Sequence, residues 1–418
     1  MSLQTVDSSL CFPNLPFSLE WLPTSAYLVG GAVRDALLQR KKNYLDLDFV
    51  LPQQAVETAS QIARHYQAGF VVLDEKRQIA RVVFPKGTVD FALQEGESLE
   101  VDLRRRDFTV NAIAYNLHEQ KLIDPLQGVK DLKQGVLRMV SAANLKDDPL
   151  RLLRAYRQAA QLNFTIEPTT RETIRSLAPL ISKVAAERVQ AELEYLFSSF
   201  RGSSWLIAAG KDGLLEPWFE EIDTAKLQQL IAVDTVTQSL RKKWSNLGNN
   251  CPNWLALAKL ATLVSQDPTK AELELVKLKY SRAQLRAVVT TVKHLPQLQA
   301  MNCLMSLREQ YFFFQEVKDI FPILVGRAIA TGVEEKLVIP LIERYLNPED
   351  LVAHPQPLIT GKDLIRNLHL KPSPLIGKLL TEIHLARIEN KIASAEEALE
   401  FASSLIKLSD SFDAQVTC

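Results

Sequence analysis

The chain has 418 residues, and its 49 basic side chains balance its 49 acidic ones. Because domains usually hold about 100–200 residues, this length predicts two to four folding units. An apolar share of 47% with 23% charged residues excludes a collagen-like, low-complexity or wholly disordered chain. A neutral balance also argues weakly against nucleic-acid binding, which usually needs a basic excess, unless the positive charge is gathered on one face.

The cysteines and the apolar runs indicate in which cellular compartment the protein is located. Four cysteines are scattered without the paired spacing of a disulfide framework or a zinc knuckle: Cys11, Cys251, Cys303 and Cys418. No apolar run reaches the roughly 18 residues of a membrane helix, and the first residues do not resemble a secretory signal. Because disulfides are rare in a reducing compartment, we expect a cytoplasmic protein without membrane association.

The pattern of apolar residues changes partway along the chain. Over about the first 140 residues it predicts strands at 26–29, 44–51, 70–73, 79–84 and 89–93, with helices at 32–39 and 53–67. After residue 145 glycine becomes rare, and apolar residues recur at helical spacing with loops near 245–252, 266–269 and 354–357. The sequence therefore predicts an α+β protein, with a small α/β head followed by a long all-helical region.

The first predicted strand runs into two glycines and then a helix: Gly30 and Gly31 precede Arg34 and Asp35. Glycines at such a turn let the phosphates of a nucleotide approach backbone N–H groups at the start of the helix. Arg34, one turn into the helix, is in position to reach a triphosphate. Paired glycines are common, so the turn is a weak signal when it is taken by itself.

Two carboxylates, Asp46 and Asp48, lie on the next predicted strand. Because they are two residues apart, both leave the same face of the strand while Leu47 points into the core. Paired carboxylates together with phosphate oxygens are typical ligands of Mg²⁺. Asp90, on a later strand, is a candidate third carboxylate for a displacement at phosphorus with two metal ions. A surface position in a hairpin is the alternative for Asp90.

A run of three arginines, Arg104 to Arg106, leads into an apolar segment that contains Asp107 and Asn111. The functional interpretation is a binding site for the triphosphate or the ribose of a nucleotide. Arg106 and Asp107 would flank this site, and Asn111 would lie on an inner helical face. The alternative is an exposed basic turn before a buried helix.

A second charged segment opens a predicted helix, where Pro149 suits the first turn and the aspartate before it can cap the helix. Spacings of three and four residues predict four charged side chains on one helix face: Asp147, Asp148, Arg151 and Arg154. Such a row can read the Watson–Crick edge of a base, with planar guanidinium groups doing most of the reading. The alternative is a helix with salt bridges at the surface.

In combination, these motifs resemble the class II tRNA nucleotidyltransferase and poly(A) polymerase family, the enzymes that build the 3′ CCA end of tRNA. The resemblance is strong over about residues 26–200, and a weaker match at 359–377 resembles the tail of bacterial members. Five segments carry the strong part: Gly30-Gly31-x-x-Arg34-Asp35 with Asp46-x-Asp48, residues 105–112, residues 124–132, Asp147-Asp148-x-x-Arg151, and residues 186–193. The family usually has glutamate at the position of Asp147.

The resemblance implies a polymerase-β-like nucleotidyltransferase head over residues 1–140, a base-reading neck over 141–205, a body over 206–335 and a tail over 336–418. Body and tail would hold the acceptor arm of tRNA. Asp46 and Asp48 would bind two Mg²⁺ ions, with Asp90 as a further catalytic candidate. In nucleotide binding, the base would meet Asp148 and Arg151, and the ribose would lie near Asp107 and Asn111. The other nucleotide-binding residues implied are Gly30, Gly31, Arg34, Asp35, Arg105, Arg106 and Arg154.

One connection bears on which nucleotides are added. Between the strand at 89–92 and Asp102, family members commonly carry a long charged loop that shifts the neck from reading cytosine to reading adenine. Here residues 93–101 make the connection, and none of them is basic. Members with a shortened loop resemble CC-adding enzymes. We therefore favour addition of two cytidines from CTP, with release of pyrophosphate, over full CCA addition or A addition, which would also use ATP.

Three other interpretations differ from this one in their sequence signals. A poly(A) polymerase of the same fold would carry an extended basic C-terminal region, whereas this chain ends with acidic residues. A non-catalytic RNA-binding module would have lost one of the paired carboxylates, and both are present. A phosphohydrolase would need a His–Asp metal pair, and the six histidines show none.

Basic residues concentrate in four clusters, at 104–106, 151–157, 241–243 and 270–293. The last two are candidates for contact with tRNA phosphates, although a charged run is often simply a solvated face. The RNA interpretation predicts that all four clusters share one face. The aromatic run at 311–314 is expected in the core rather than in a base-stacking platform.

Overall fold

A computed structural model describes residues 15–40 and 44–415 of the chain, with side chains described as far as residue 407. The chain divides into two compact units, Met1–Trp218 and Phe219–Cys418. Within the described part, Cys251 and Cys303 are free thiols; Cys11 and Cys418 lie outside it. None of the described helices combines the length and the apolar character that crossing a membrane requires.

Seven strands of the first unit form one mixed sheet: β1 (Tyr27–Val29), β2 (Leu45–Leu51), β3 (Gly69–Asp74), β4 (Ile79–Phe84), β5 (Gly87–Leu93), β6 (Ala114–Asn116) and β7 (Lys121–Ile123). Their order across the sheet is β3-β4-β5-β2-β1-β6-β7. The β2–β5 pair is parallel, and the other neighbouring pairs are antiparallel. Two shorter strands, β8 (Val136–Leu137) and β9 (Thr165–Ile166), pair in parallel.

The helices of the first unit follow and flank these strands. They are α1 (Gly31–Leu37), α2 (Ala55–His65), α3 (Leu99–Arg104), α4 (Gly128–Gln134), α5 (Ala142–Asp147), α6 (Leu150–Leu162), α7 (Pro168–Leu177), α8 (Ala186–Ser198) and α9 (Gly202–Lys211), with short 3₁₀ helices at Leu19–Trp21, Thr109–Asn111 and Ala178–Lys183. The strands and helices predicted over residues 26–93 are all present, and each end lies within two residues of its expected position. The expected α+β fold is confirmed.

The sheet core explains why β2 is a good platform for a site. Leu47, Phe49 and Leu51 are almost completely buried, and the rings of Phe49 and Phe91 stack with centroids 5.6 Å apart. The other face of β2 carries its two aspartates at the start of the strand. A rigid central strand therefore holds polar side chains that project away from its packed face.

Three local expectations were wrong. Asn111 ends a 3₁₀ turn instead of lying on a helix. The region expected to be an all-helical neck contains β9. Asp147 and Asp148 do not belong to α6, because Pro149 disfavours the helical conformation of the residue before it. Asp148 is accordingly extended, with φ −129° and ψ 92°, at the end of α5.

The second unit is helical throughout its described part. Its helices are α10 (Thr224–Lys243), α11 (Trp254–Leu263), α12 (Pro268–Lys277), α13 (Arg282–Gln299), α14 (Leu307–Val317), α15 (Phe321–Ala330), α16 (Glu335–Leu346), α17 (Gly361–Leu368), α18 (Pro374–Ile388) and α19 (Ala395–Gln415), with a 3₁₀ helix at Lys318–Ile320. The three predicted loops fall at junctions between these helices. Phe313 and Phe314 are buried as expected, whereas Phe312 is 42% exposed and does not belong to the core.

Candidate active site

A cavity of about 420 Å³ lies in the first unit, between the aspartate end of β2 and helix α6. Eleven of the fourteen residues predicted for the site line it: Gly30, Gly31, Arg34, Asp46, Asp48, Arg106, Asp107, Asn111, Asp148, Arg151 and Arg154. The remaining three, Asp35, Arg105 and Asp90, are close in the structure but do not line the cavity. Three further lining residues were not predicted: Arg157, Gln158 and Gln161.

The glycine turn forms one wall. Gly30 has φ +71°, a conformation that L-residues with a side chain rarely adopt. A Cβ atom there would lie 3.3 Å from Arg106 Nη1 and 3.7 Å from Asp48 Oδ2. Glycine therefore allows both the backbone conformation and the close approach of these two charged side chains.

The two β2 aspartates lie beside polar residues of β5. Register pairs Asp46 with Thr88 and Asp48 with Asp90, and Thr88 Oγ1 donates to Asp46 Oδ1 at 3.1 Å. Burial and the negative charges of Asp46 and Asp90 raise the pKa of Asp48 to about 6, although Arg106 and Arg81 act in the opposite direction. A bound cation would relieve the repulsion that this shift reflects.

The donor set fits a hard divalent cation that also binds substrate. No group of three or more His, Cys, Asp and Glu side chains converges as a metal site in the part of the chain that the structure describes. Asp46 and Asp48 would supply two carboxylates to such a cation, and phosphate oxygens and water would complete the coordination. Mg²⁺ is commonly bound in this way, by one or two carboxylates plus substrate phosphates.

Asp90 is adjacent to Asp48, but a neighbouring arginine engages both of its oxygens. Arg81 Nε donates to Asp90 Oδ1 at 2.7 Å, and Arg81 Nη2 donates to Asp90 Oδ2 at 2.8 Å. Arg81 stands directly opposite Asp90 in the β4–β5 pair. Both Asp90 oxygens are therefore engaged by Arg81, and Asp90 does not line the cavity, although its charge still acts on Asp48.

A chain of buried hydrogen bonds connects α1 to α6. Arg34 donates to Asp35 Oδ1 at 2.9 Å and to Asn111 Oδ1 at 2.7 Å. The Asn111 amide donates in turn to Asp107 Oδ1 and to Gln158 Oε1, both at 2.9 Å. Arg34 and Asn111 are therefore each held by at least two partners.

Asp107 is the most buried carboxylate of the cavity lining. Burial acts to raise its pKa, but Arg154, Asn111 and the backbone N–H of Phe108 together lower it below the usual value. Arg154 Nε lies 3.4 Å from Asp107 Oδ2, and Gln158 Nε2 donates to the same oxygen at 3.4 Å. Asp107 is therefore a fixed anion between the 3₁₀ turn and α6.

The arginines that precede Asp107 have different surroundings. Arg106 Nη2 donates to Asp102 Oδ2 at 3.1 Å, which orients its side chain along the cavity wall. Arg105 is paired with the partly buried carboxylate of Glu95 instead. The backbone carbonyl of Arg105 nevertheless accepts a hydrogen bond from the cavity residue Arg151, at 2.9 Å.

Charged groups from α6, from α8 and from the junction before α6 meet at the far side of the cavity. Arg151 Nη1 donates to the carbonyls of Arg105 and Asn144, at 2.9 and 3.0 Å. Asp148 accepts two hydrogen bonds from Arg188 of α8, at 3.2 and 2.9 Å. Asp147, by contrast, is exposed and does not line the cavity.

The three unpredicted lining residues all lie on α6. Arg151, Arg154, Gln158 and Gln161 follow one another at spacings of three, four and three residues, which is one face of a helix. Extending the periodicity of the two predicted arginines would therefore have identified both glutamines. Arg157 stands beside this row and is paired with Glu192 of α8.

Three family models match the chain. Residues 26–138 match the poly A polymerase head domain. Residues 163–226 match the probable RNA- and SrmB-binding site of polymerase A. Residues 253–402 match a domain described as tRNA nucleotidyltransferase domain 2, putative.

Individual relatives are similar over almost the whole length. A CC-adding tRNA nucleotidyltransferase from Synechocystis sp. is 54% identical over 405 residues, which cover 94% of this chain and 97% of that protein. An A-adding tRNA nucleotidyltransferase from Deinococcus radiodurans is 33% identical over 91% of this chain and 95% of its own. A solved structure of a tRNA-processing enzyme with CTP has 26% identity and a TM-score of 0.65, covering 86% of this chain and 95% of that one.

Proposed function

Because the chain belongs to the family of tRNA nucleotidyltransferases and poly(A) polymerases, we propose that it adds two cytidines to the 3′ end of tRNA. The donor is CTP, pyrophosphate is released, and no nucleic-acid template is used. The observation that carries this proposal is the cavity in which paired carboxylates face a row of guanidinium groups. Strong similarity to the CC-adding relative from Synechocystis sp. supports the choice of nucleotide.

The reaction joins the terminal 3′-oxygen of tRNA to the α-phosphorus of CTP and breaks the bond between that phosphorus and the pyrophosphate leaving group. Enzymes of this family use divalent metals. Asp46 and Asp48 would hold Mg²⁺ here, which lowers the pKa of an attacking hydroxyl and neutralises charge on the transferring phosphoryl group. Arg34 and Arg106, on the same side of the cavity, supply positive charge for the triphosphate.

The neck side of the cavity suits the Watson–Crick edge of cytosine. This edge offers one amino donor at position 4 and two acceptors, N3 and O2. Ionised Asp148 can accept from the amino group, and Arg151, which its carbonyl contacts orient, can donate to the two acceptors. Asp107 and Asn111 remain the candidates for the ribose hydroxyls.

The connection between β5 and α3 supports CC addition over a switch to adenine. It is short, and its backbone is fixed at several points. Gln94 N–H donates to the Leu51 carbonyl at 2.7 Å, Glu95 N–H donates to Asp102 Oδ1 at 3.1 Å, and Ser98 caps α3. Since Asp102 also binds Arg106, movement of this connection would disturb the cavity wall. A segment held in this way is poorly suited to re-aim the base-reading side chains.

The remaining sequence interpretations become parts of this proposal. Asp90 would act on the metal site through its charge, because Arg81 engages both of its oxygens. The four-part division into head, neck, body and tail, with tRNA held by the last two, stays a prediction, as does a single face for the basic clusters. Some of the positive charge in the second unit is already neutralised, since Lys243 pairs with Glu335. The scattered cysteines support a cytoplasmic location.

The decisive experiment uses a tRNA transcript that ends at the discriminator base. With CTP and ATP supplied together, we expect extension by two nucleotides and a stop. A tRNA already ending in CC, incubated with ATP, tests the alternative directly: efficient addition of adenosine would make this a full CCA-adding or A-adding enzyme. Failure to extend the first transcript with any nucleotide would overturn the proposed activity altogether.

A further inference from the structure

Arg188 is the third residue of α8 and does not line the cavity, yet it contacts a residue that does. Its Nη1 and Nη2 donate to the two carboxylate oxygens of Asp148, at 3.2 and 2.9 Å. Asp148 lies in the extended junction between α5 and α6, where its N–H donates to the Asn144 carbonyl and its carbonyl accepts from the Arg151 N–H. The contact therefore joins α8 to the side chain that faces the base.

We propose that Arg188 is a positioning residue that fixes the Asp148 carboxylate and thereby sets the preference for cytosine over uracil. The inference rests on the proposed function and concerns the same cavity. Arg188 would act through Asp148 and would not touch the nucleotide itself.

The chemical difference between the two pyrimidines lies at positions 3 and 4. Cytosine has an amino donor at position 4, whereas uracil has a carbonyl acceptor there and an N–H at position 3. An ionised carboxylate can accept hydrogen bonds but cannot donate one. Asp148 therefore favours cytosine only when an oxygen points at position 4, and a rotated carboxylate would lose much of the distinction.

The fork geometry of arginine suits this task. A carboxylate offers about four lone-pair sites on its two oxygens. The bidentate contact from Arg188 uses one site on each oxygen and fixes the carboxylate plane. The Leu150 N–H takes a further site on Oδ1 at 3.3 Å, so the site that remains open to a base is on Oδ2. A lysine at position 188 would supply charge without the two-point contact.

The contact contributes little to folding, so its loss should leave the protein folded. The side chains of Arg188 and Asp148 are 52% and 28% exposed, and ion pairs this exposed to solvent contribute little to folding. A matched control is the Arg308–Glu382 pair of the second unit. It is also bidentate, with distances of 3.1 and 2.7 Å, and its side chains are 49% and 39% exposed.

The test compares Arg188→Gln, Arg188→Lys and the control Arg308→Gln with the wild-type full chain. Dissociation constants for CTP and UTP are measured by calorimetry, and KM and kcat for cytidine and uridine incorporation are measured on the same tRNA. In Arg188→Gln we expect the preference for CTP over UTP to fall about three- to fivefold, which is the upper range for the loss of so exposed an ion pair. The change should appear mainly in the dissociation constants and KM. Arg188→Lys should restore little of the preference, and Arg308→Gln should match wild type.

A double-mutant cycle with Asp148→Asn shows whether Arg188 acts through Asp148. In that background, Arg188→Gln should change the CTP:UTP ratio by less than about twofold, because the interaction has already been lost. An unchanged ratio in the single Arg188→Gln variant would overturn the inference. Tighter CTP binding would also do so, since it would mean that Arg188 blocks Asp148. If the wild type neither binds CTP nor adds cytidine, the proposed function fails first.

Discussion

Gln158 has a buried side-chain amide whose oxygen accepts one hydrogen bond and whose nitrogen donates another. Substitutions at this position therefore test the buried hydrogen bonds of the cavity. The amide oxygen accepts from Asn111, and the amide nitrogen donates to Asp107 at 3.4 Å. Gln158→Glu keeps the acceptor but places a second carboxylate oxygen opposite Asp107. At that separation, with an effective dielectric constant of about 20, two unit charges repel by about 5 kcal/mol. The introduced carboxyl avoids most of this repulsion by keeping its proton, so its pKa rises in the folded state.

The stability cost of Gln158→Glu should therefore depend on pH. Free glutamate has a pKa of about 4.3, and each pH unit above that value costs about 1.4 kcal/mol while the folded protein retains the proton. The cost is absent below about pH 4, grows as the pH rises, reaches roughly 3–4 kcal/mol near pH 7 and levels off above the folded-state pKa. Gln158→Leu instead removes both contacts without adding charge. It leaves an Asn111 N–H unpaired, at a pH-independent cost of about 1–3 kcal/mol.

Thermal unfolding of the full chain between pH 5 and pH 8 measures both effects as differences from wild type at each pH. We expect the deficit of Gln158→Glu to increase steadily across this range, while the deficit of Gln158→Leu stays constant. Subtracting the wild-type curve removes the titration of every other group. An equal loss of stability for Gln158→Glu at pH 5 and pH 8 would show that the introduced carboxyl does not face Asp107. That result would contradict the described hydrogen bonds between Gln158 and Asp107.

Four substitutions elsewhere in the first unit have expected outcomes of their own. Asp46→Asn or Asp48→Asn should lower nucleotide addition by at least about a thousandfold, because the metal ion would lose a carboxylate ligand. Filter binding of tRNA should stay near wild type, and a variant that keeps half of the wild-type activity would refute the metal role. Gly30→Ala should raise KM for CTP about tenfold, by strain at positive φ and contact with Arg106. The control Gly332→Ala has φ +100° but no neighbour within 4 Å, so it should alter stability and leave KM unchanged. Tyr156→Phe should lower stability by about 1–2 kcal/mol in urea denaturation, because the hydroxyl donates to buried Asp212 at 2.5 Å; an unchanged midpoint would contradict that reasoning.

The sequence predicts those parts of the site whose residues follow the regular spacing of a strand or a helix. Two aspartates two residues apart on a strand must share a face, and the structure has Asp46 and Asp48 on the cavity while Leu47 is buried. The same logic applies to α6, where a helical period brings Arg151 and Arg154 to one side. Both patterns depend on backbone geometry that a few neighbouring residues determine.

Contacts between distant segments were harder to predict, because no local period encodes them. Arg188 and Asp148 are forty residues apart in sequence, and their contact depends on how α8 packs beside α6. The Arg81–Asp90 pair is an instructive intermediate case. The hairpin turn at residues 85–86 fixes a register in which Arg81 stands opposite Asp90. Applying that register to the sequence would have shown that Asp90 has a cationic partner.

The neutral charge of the whole chain is compatible with nucleotide chemistry, because the cavity needs side chains of both signs. Its lining includes four aspartates and five arginines. Asp46 and Asp48 lie on the sheet side, whereas three of the arginines project from α6, where Asp107 and Asp148 pair with arginines. A metal-bound triphosphate needs anions at the metal and cations along the base and phosphates. It follows that substitutions at the β2 aspartates should change kcat, whereas substitutions along α6 and at its arginine partners should change which nucleotide is bound.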